Sequence, residues 1–257
     1  MNTVLSKLII GIDEIYERYH RDAKSLETAC DITCNKGCGA CCHFPLISAS
    51  AGEAFVLSHL LDSLGPVREE LKKHIRAYAA RYFDYCRSEG SLPFTEAQQK
   101  KAFLELKLPC PLFTITGEDF SGHCGVFAVR PLICGYFQSL DNANLCTQKM
   151  PHRSYSPLIQ RGEEAIDEIQ TLERTILGRS TLGHLPLLLA ALSTEEGVSA
   201  FINTNFQNPE SDSLPPEEAQ WSYDFDLLID LLRVAGYSLT EADIHSLLAA
   251  QKEKVGA

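Results

Sequence analysis

Cysteine is the residue type in this sequence whose number and spacing are best suited to chemistry. All ten cysteines of the 257-residue chain lie within its first 146 positions, and five of them are crowded between residues 30 and 42. In a reducing compartment, clustered cysteines bind metals or carry out redox chemistry more often than they form disulfides. Gly37 and Gly39 lie in the crowded segment and allow a short loop to curl around an ion. The spacing there is C-x3-C-x2-C-C, formed by Cys34, Cys38, Cys41 and Cys42.

A second group of cysteines follows the first and offers further ligands. Zinc takes four ligands in a tetrahedron, and iron–sulfur clusters are typically held by four cysteine thiolates. Cys41 and Cys42 are adjacent and send their side chains in different directions, so the first loop either forms a site alone or shares ligands with a distant segment. Thiolates suit both metals, and the expected metal is therefore zinc or iron, including a 4Fe–4S cluster. The second group consists of Cys110, Cys124, Cys134 and Cys146.

Short motifs around the second group make the pattern specific. Pro109-Cys110-Pro111-Leu112 is followed by Cys124-x5-Arg130-Pro131-x2-Cys134, and Cys146 closes the series. Together with the first cluster, this order resembles the YkgJ-type CxxCxxCC cysteine-cluster family over roughly residues 30 to 150. That family is described as chelating zinc or iron. The resemblance implies eight metal ligands, namely Cys34, Cys38, Cys41, Cys42, Cys110, Cys124, Cys134 and Cys146.

The chain departs from the family pattern at three points. Its first gap has three residues rather than two, Phe127 stands where a tyrosine is usual, and Gly135 replaces an arginine. If that arginine normally offsets a thiolate cluster or binds an anionic substrate, this chain either does without its charge or uses Arg130 or Lys149 instead. Arg130 precedes a proline and is expected in extended backbone, with its side chain directed toward the sulfur ligands or toward a nearby carboxylate.

The resemblance leaves two classes of function open. Some relatives resemble flagellin lysine methylases that use an iron–sulfur centre and S-adenosylmethionine. The protein either binds metal in a structural, redox or sensing role, or is an iron–sulfur-dependent enzyme such as an S-adenosylmethionine-using protein lysine methyltransferase. C-x3-C-x2-C is also the spacing of radical S-adenosylmethionine enzymes, but those enzymes set it after a barrel strand, and here a long helix is expected before it. No phosphate-binding loop, H-E-x-x-H or G-x-S-x-G pattern occurs in the sequence.

Four residues outside the eight predicted ligands need an interpretation of their own. Cys86 falls on the apolar face of a predicted helix and is expected in the core. Cys30 ends the first predicted helix and is a spare ligand candidate. His43 and His123 each adjoin a cysteine and are either additional ligands or, as we favour, hydrogen-bonded loop histidines.

Charge and hydropathy exclude several classes of partner. The net charge is −11, and no run of Lys and Arg is longer than a pair, which argues against nucleic-acid binding. The longest apolar run, Leu185 to Leu192, is interrupted by Pro186 and is far shorter than the roughly 20 residues of a membrane-spanning helix. We therefore expect a cytoplasmic protein with neither a nucleic-acid nor a membrane partner.

The elements that must position the cysteines are mainly α-helices. We predict a helical domain carrying a small, irregular, cysteine-rich metal-binding module with one short hairpin, Leu112 to Ile115 with His123 to Phe127. Residues 30–43 are expected to form a loop. Residues 1–150 are assigned to the N-terminal helices and this module, and residues 151–257 to a helical extension that is either separate or part of the same domain. The predicted helices cover residues 3–28, 50–65, 66–90, 96–106, the segment from Ser156 onward, 185–192, 225–235 and 240–252.

Overall fold

The computed structural model describes residues 3–32, 34, 37–43, 47–63, 65, 67–88, 106, 108–117, 121–141, 145–146, 153–178, 180 and 182–202. This part of the chain is mainly helical, with two short antiparallel strand pairs, which confirms the predicted mainly α class. The helices are α1 (Thr3–Glu27), α2 (Ala51–Asp62), α3 (Val67–Ser88), α4 (Leu132–Tyr136), α5 (Ser156–Leu177), α6 (Leu185–Leu192) and α7 (Glu195–Ile202). The strands are β1 (Ser48–Ser50), β2 (Phe113–Ile115), β3 (Gly122–Cys124) and β4 (Leu182–His184).

Helices α1 and α5 pack against each other along their length. Apolar residues recur along α1 with helical spacing, and this stripe is buried as predicted. Gly11 lets the two helices approach closely, because a Cβ there would lie 2.5 Å from a methyl carbon of Leu172 on α5. Ion pairs flank the contact, with Arg161 Nε donating to Asp22 at 2.7 Å. The buried residues of α1 are Leu5, Leu8, Ile12, Ile15, Tyr19 and Ala23.

Two shorter helices, α2 and α6, lie in the interior. The predicted capping box at the start of α2 is present: the Ser50 hydroxyl accepts from the backbone N–H of Glu53, and the Glu53 carboxylate accepts from the backbone N–H of Ser50. All eight residues of α6 are buried, which confirms the short buried helix predicted there. A helix that is apolar all round needs neighbours on every side, and α6 packs against α2, α3 and α7.

The two strand pairs join parts of the chain in different ways. Strands β2 and β3 form the predicted hairpin, with Phe113 opposite Cys124 and Ile115 opposite Gly122, but β3 ends at Cys124 rather than at Phe127, where a short 3-10 helix (Phe127–Val129) begins. Strands β1 and β4 were not predicted, and they pair Ser48 with His184 across most of the chain length. This second pair ties the segment before α2 to the segment before α6.

The structure also corrects and limits the sequence predictions. The segment predicted as loop contains a 3-10 helix at Ala40–His43, because the backbone N–H of Cys42 bonds to the carbonyl of Gly39 at 2.9 Å. Helix α4 was not predicted. The predicted helices at 225–235 and 240–252, and that at 96–106 apart from Leu106, lie outside the described residues.

The buried core runs through helices on both sides of the predicted boundary at residue 150. Leu8 and Ile12 of α1 and Leu158 and Ile169 of α5 belong to the same buried cluster. Among the described residues, no helix is both long enough and apolar enough to cross a membrane.

A substitution at Gly162 on α5 tests the contact between α5 and α4. A Cβ at this position would lie 2.0 Å from Cδ1 and 2.5 Å from Cβ of Tyr136. Helix propensity alone would make Gly162→Ala stabilising by up to about 1 kcal/mol. We expect the clash to outweigh this gain and the free energy of unfolding to fall by about 1–3 kcal/mol in chemical denaturation. The control Asp167→Ala, at an exposed site on the same helix, should change the free energy of unfolding by less than about 0.5 kcal/mol. Equal stability of Gly162→Ala and wild type would contradict the packing of α5 against α4.

Candidate metal centre

Backbone hydrogen bonds hold the two cysteine regions together although they are far apart in sequence. The N–H of Cys110 donates to the carbonyl of Cys42 at 2.7 Å, and the N–H of Gly122 donates to the carbonyl of Gly37 at 3.1 Å. Cys38 also forms an isolated β-bridge with Ser121. The first loop therefore lies against the hairpin as an added, irregular strand. Gly37 has φ of 105°, a conformation that favours glycine at this turn.

The eight predicted ligands differ in exposure. Cys110 is buried and Cys41 is exposed, whereas the other six are half-buried. Cys124 ends β3 opposite Phe113, and Cys134 lies on α4. Cys34 accepts a hydrogen bond from the backbone N–H of Ser139, with 3.2 Å between nitrogen and sulfur. Hydrogen bonds of this kind favour the thiolate form of a cysteine.

The pKa values of these thiols indicate that the sulfurs are neighbours. Burial raises the pKa of Cys110 to about 12 and that of Cys134 well above its usual range, and the charges of nearby thiolates add to both shifts. A hydrogen bond between the adjacent thiols lowers the pKa of Cys41 and raises that of Cys42. Each predicted ligand lies close enough to at least two others for their charges to interact, and these ligands are Cys34, Cys38, Cys41, Cys42, Cys110, Cys124, Cys134 and Cys146.

The described cysteine side chains lie close together but do not converge on a common point. Within the described part of the chain, no three His, Cys, Asp or Glu side chains are arranged so that they could hold a metal ion together. His123, a candidate ligand, is exposed on β3, and Cys30 is half-buried. The side chains of His43 and Cys86 lie outside the described residues.

Arg130 lies beside the cysteines. Its guanidinium carbon is 4.5 Å from the centre of the Phe127 ring, which places a cation over an aromatic face. Its positive charge contributes to lowering the pKa of Cys41 and opposes the burial that raises the pKa of Cys124 and Cys134. Phe127 thus supports a cation whose charge acts on the nearby sulfurs.

A buried carboxylate, Glu53, anchors the segment that carries Cys134. One oxygen of Glu53 accepts from the Tyr16 hydroxyl at 2.7 Å and from the backbone N–H of Leu132 at 3.0 Å. Leu132 is the first residue of α4, so this bond fixes the start of the helix that bears Cys134. The sequence identified Glu53 through its capping box, but carried no signal for its contacts with α1 and α4.

A small cavity lies next to this carboxylate. Its volume is about 210 Å³, and it is bounded by α1, α2 and the residues Ala128 and Val129. Ile12 and Leu57 give it an apolar wall, whereas Asp13 and Glu17 lie at its α1 side. No described residue that lines it is a cysteine.

Comparison with known proteins leaves the family of this chain open. No protein-family model, no curated protein and no solved structure matches the sequence or the fold. The resemblance to the YkgJ-type family therefore stays a prediction from the cysteine motifs.

A second buried carboxyl, Glu173 on α5, makes stability depend on pH. It accepts from the backbone N–H of Gly52 at 2.7 Å and from the Ser180 hydroxyl at 2.6 Å. Burial raises its pKa to about 7, and the neighbouring charge of Glu53 adds to the shift. Because an unfolded glutamate loses its proton near its usual pKa of about 4.3, the folded state holds an extra proton between that pH and about pH 7.

Stability should therefore decrease as pH rises through this window. The contribution of Glu173 is present below about pH 4 and is lost by about pH 7, a change of about 3 kcal/mol. In Glu173→Gln this component should disappear, whereas Glu163→Gln, at an exposed site on the same helix, should retain it. Denaturant titrations across the window measure the effect, and identical pH slopes in wild type and Glu173→Gln would disprove it.

Proposed function

We propose that this protein binds zinc or iron, the latter as an ion or as an iron–sulfur cluster, in a structural, redox or sensing role. The observation that supports this most directly is the gathering of thiols from four separate chain segments into one region. Backbone hydrogen bonds hold the first loop against Cys110 and the hairpin, and the backbone N–H of Ser139 donates to the sulfur of Cys34. The proposed ligands are Cys34, Cys38, Cys41, Cys42, Cys110, Cys124, Cys134 and Cys146.

The electrostatics of the region favour a bound cation. Thiolates lying this close repel one another, which is one reason why the pKa of Cys134 and of Cys110 is raised. In the absence of a metal, the thiols of Cys110 and Cys134 hold their protons at neutral pH. A metal ion replaces the protons and removes the repulsion, so that binding is coupled to proton release and to folding of the segment.

The donor set fits the proposed metals by its chemistry. Soft thiolates are the ligands of zinc and of iron–sulfur clusters, and the N–H of Ser139 already donates to the sulfur of Cys34. Since the side chains lie as neighbours rather than as assembled ligands, binding on this proposal turns them toward a common point. Such a change needs rotation about side-chain bonds, while the backbone bonds between the two regions are kept.

The alternative is an iron–sulfur-dependent enzyme, such as an S-adenosylmethionine-using protein lysine methyltransferase. This alternative requires an open position for substrate next to the metal. The cavity beside Glu53 is not lined by any cysteine among its described residues, and no other observation favours catalysis. Metal binding without an assigned reaction is therefore the better supported function.

Metal analysis of protein purified without oxygen tests the proposal and identifies the metal. A brown protein with about four iron and four sulfide per chain would indicate a 4Fe–4S cluster, and a colourless one with about one or two zinc a zinc site. Folded wild-type protein without metal would overturn the proposal.

Serine variants assign the ligands. Cys41→Ser and Cys134→Ser should each lower the metal content and the free energy of unfolding, because each removes a proposed ligand. Cys86→Ser should leave the metal content unchanged, since the sequence predicts Cys86 as a core residue of α3. Equal metal content in all three variants would contradict the assignment.

Arg130 should slow the loss of metal. Its charge partly offsets the thiolates, and removal of a group that supports metal ligands typically lowers metal affinity about 10- to 100-fold. We expect Arg130→Ala to lose metal about tenfold faster than wild type to a colorimetric chelator. Arg76→Ala removes an exposed arginine on α3 and serves as the control for net charge. Equal release rates for the two variants would show that Arg130 has no role at the centre.

A further inference from the structure

The cavity beside Glu53 is large enough for a small organic molecule. Its volume of about 210 Å³ exceeds the volume of about 150 Å³ in which an apolar protein cavity holds benzene. An aromatic ring with a short arm therefore fits inside it. Both long walls are apolar, and the apolar residues that line the cavity are Ile12, Val56, Leu57, Leu60, Ala128 and Val129.

Two carboxylates of α1 give one side of this cavity a negative charge. Asp13 and Glu17 lie one helical turn apart, both are exposed, and both line the cavity. Burial and the charge of Glu17 raise the pKa of Asp13, which shows that the two carboxylates are close enough to repel each other. Neither forms an ion pair with another described residue, whereas Asp22, further along α1, is paired with Arg161.

No lysine or arginine is among the described residues that line the cavity. Burial and the charge of Arg130 lower the pKa of His20, so this lining residue is neutral at neutral pH. Arg130 lies over the ring of Phe127 and is not a lining residue itself. Glu53, which is only 4% exposed, adds a third acidic group to the lining. The cavity thus combines apolar walls with uncompensated negative charge.

This combination selects a ligand by its chemistry. A purely apolar molecule would cover the walls and leave Asp13 and Glu17 without a counter-ion. A metal ion would satisfy the two carboxylates and leave the apolar walls without a partner, and an anion would be repelled. A molecule with an apolar body and one positive charge satisfies both parts of the lining.

We propose that this cavity binds a small organic cation of the arylalkylammonium class, with its ring against the apolar walls and its ammonium group beside Asp13 and Glu17. The ring gains free energy by leaving water, and the ammonium group offsets the repulsion between the two carboxylates. This binding site is a second function, separate from the proposed metal centre, because no described cysteine lines the cavity.

Isothermal titration calorimetry of the full chain at low ionic strength tests the site with three matched probes. Phenethylammonium should bind saturably, the neutral phenethyl alcohol about tenfold more weakly, and the anionic hydrocinnamate not measurably. Asp13→Asn and Glu17→Gln should each weaken phenethylammonium by about three- to fivefold and leave the affinity for the alcohol unchanged. Glu14→Gln makes the same change in net charge at an exposed position of α1 outside the lining, and it should change neither affinity.

A larger side chain at position 129 tests whether the probes occupy this cavity. Val129 is 37% exposed, so Val129→Trp should keep native circular dichroism, fill the cavity and abolish binding of both probes. Ile115→Trp, at an exposed position of β2 outside the lining, is the control and should bind both probes as wild type does.

Three results would each overturn the proposal, and the exposed positions of Asp13 and Glu17 keep it testable if Val129→Trp does not fold. They are absence of saturable phenethylammonium binding to folded wild type, equal affinity for the ammonium and the alcohol, and undiminished binding in folded Val129→Trp. None of them changes the expected metal content, so failure of this site would leave the proposed metal-binding function intact.

Discussion

The arrangement of this structure depends on one buried carboxylate, that of Glu53. It accepts hydrogen bonds from the Tyr16 hydroxyl on α1, from the backbone of Ser50 before α2 and from the backbone of Leu132 at the start of α4. A buried carboxylate without such partners would be strongly destabilising, so burial raises its pKa while these three donors act in the opposite direction. Loss of any one of the three segments would remove one of the donors that stabilise this buried charge. The requirement to satisfy Glu53 therefore couples the helical core to the segment that carries Cys134.

Glu173 is a second buried carboxyl, and it lies beside Glu53 in the core. Glu173 approaches the first turn of α2, where backbone N–H groups have no partner within the helix. It bonds to the N–H of Gly52, and only glycine fits there, since a Cβ would lie 2.3 Å from the Glu173 oxygen. Because the pKa of Glu173 is raised to about 7, this residue can hold a proton and avoid repulsion with Glu53. Two acids are thus tolerated because one helix end supplies donors to both.

The sequence predicted those elements whose signals are local. The apolar stripe of α1, the capping box of Ser50 and Glu53, the run of α6 and the β2–β3 hairpin are each encoded within a few turns or one loop, and all are present. The pairing of β1 with β4 was missed because each strand has three residues and its partner lies far away in the chain. The same holds for the bonds from Glu53 to Tyr16 and Leu132, which no local pattern indicates. For the site, the motifs selected eight cysteines that the fold gathers into one region, but spacing alone does not encode which sulfurs become neighbours.

That selection of neighbours depends on how the first loop is held. Its backbone is tied to the hairpin through Gly37 and to Cys110 through Cys42, so the loop is held at two points. The 3-10 turn then directs Cys42 toward the core and leaves Cys41 exposed, next to the cation that Arg130 holds over Phe127. In a chain with a net charge of −11, this cation contributes, together with the hydrogen bond from Cys42, to lowering the pKa of Cys41. The fold thus places the two adjacent cysteines in different surroundings, and this difference comes from the backbone of the turn rather than from the cysteines themselves.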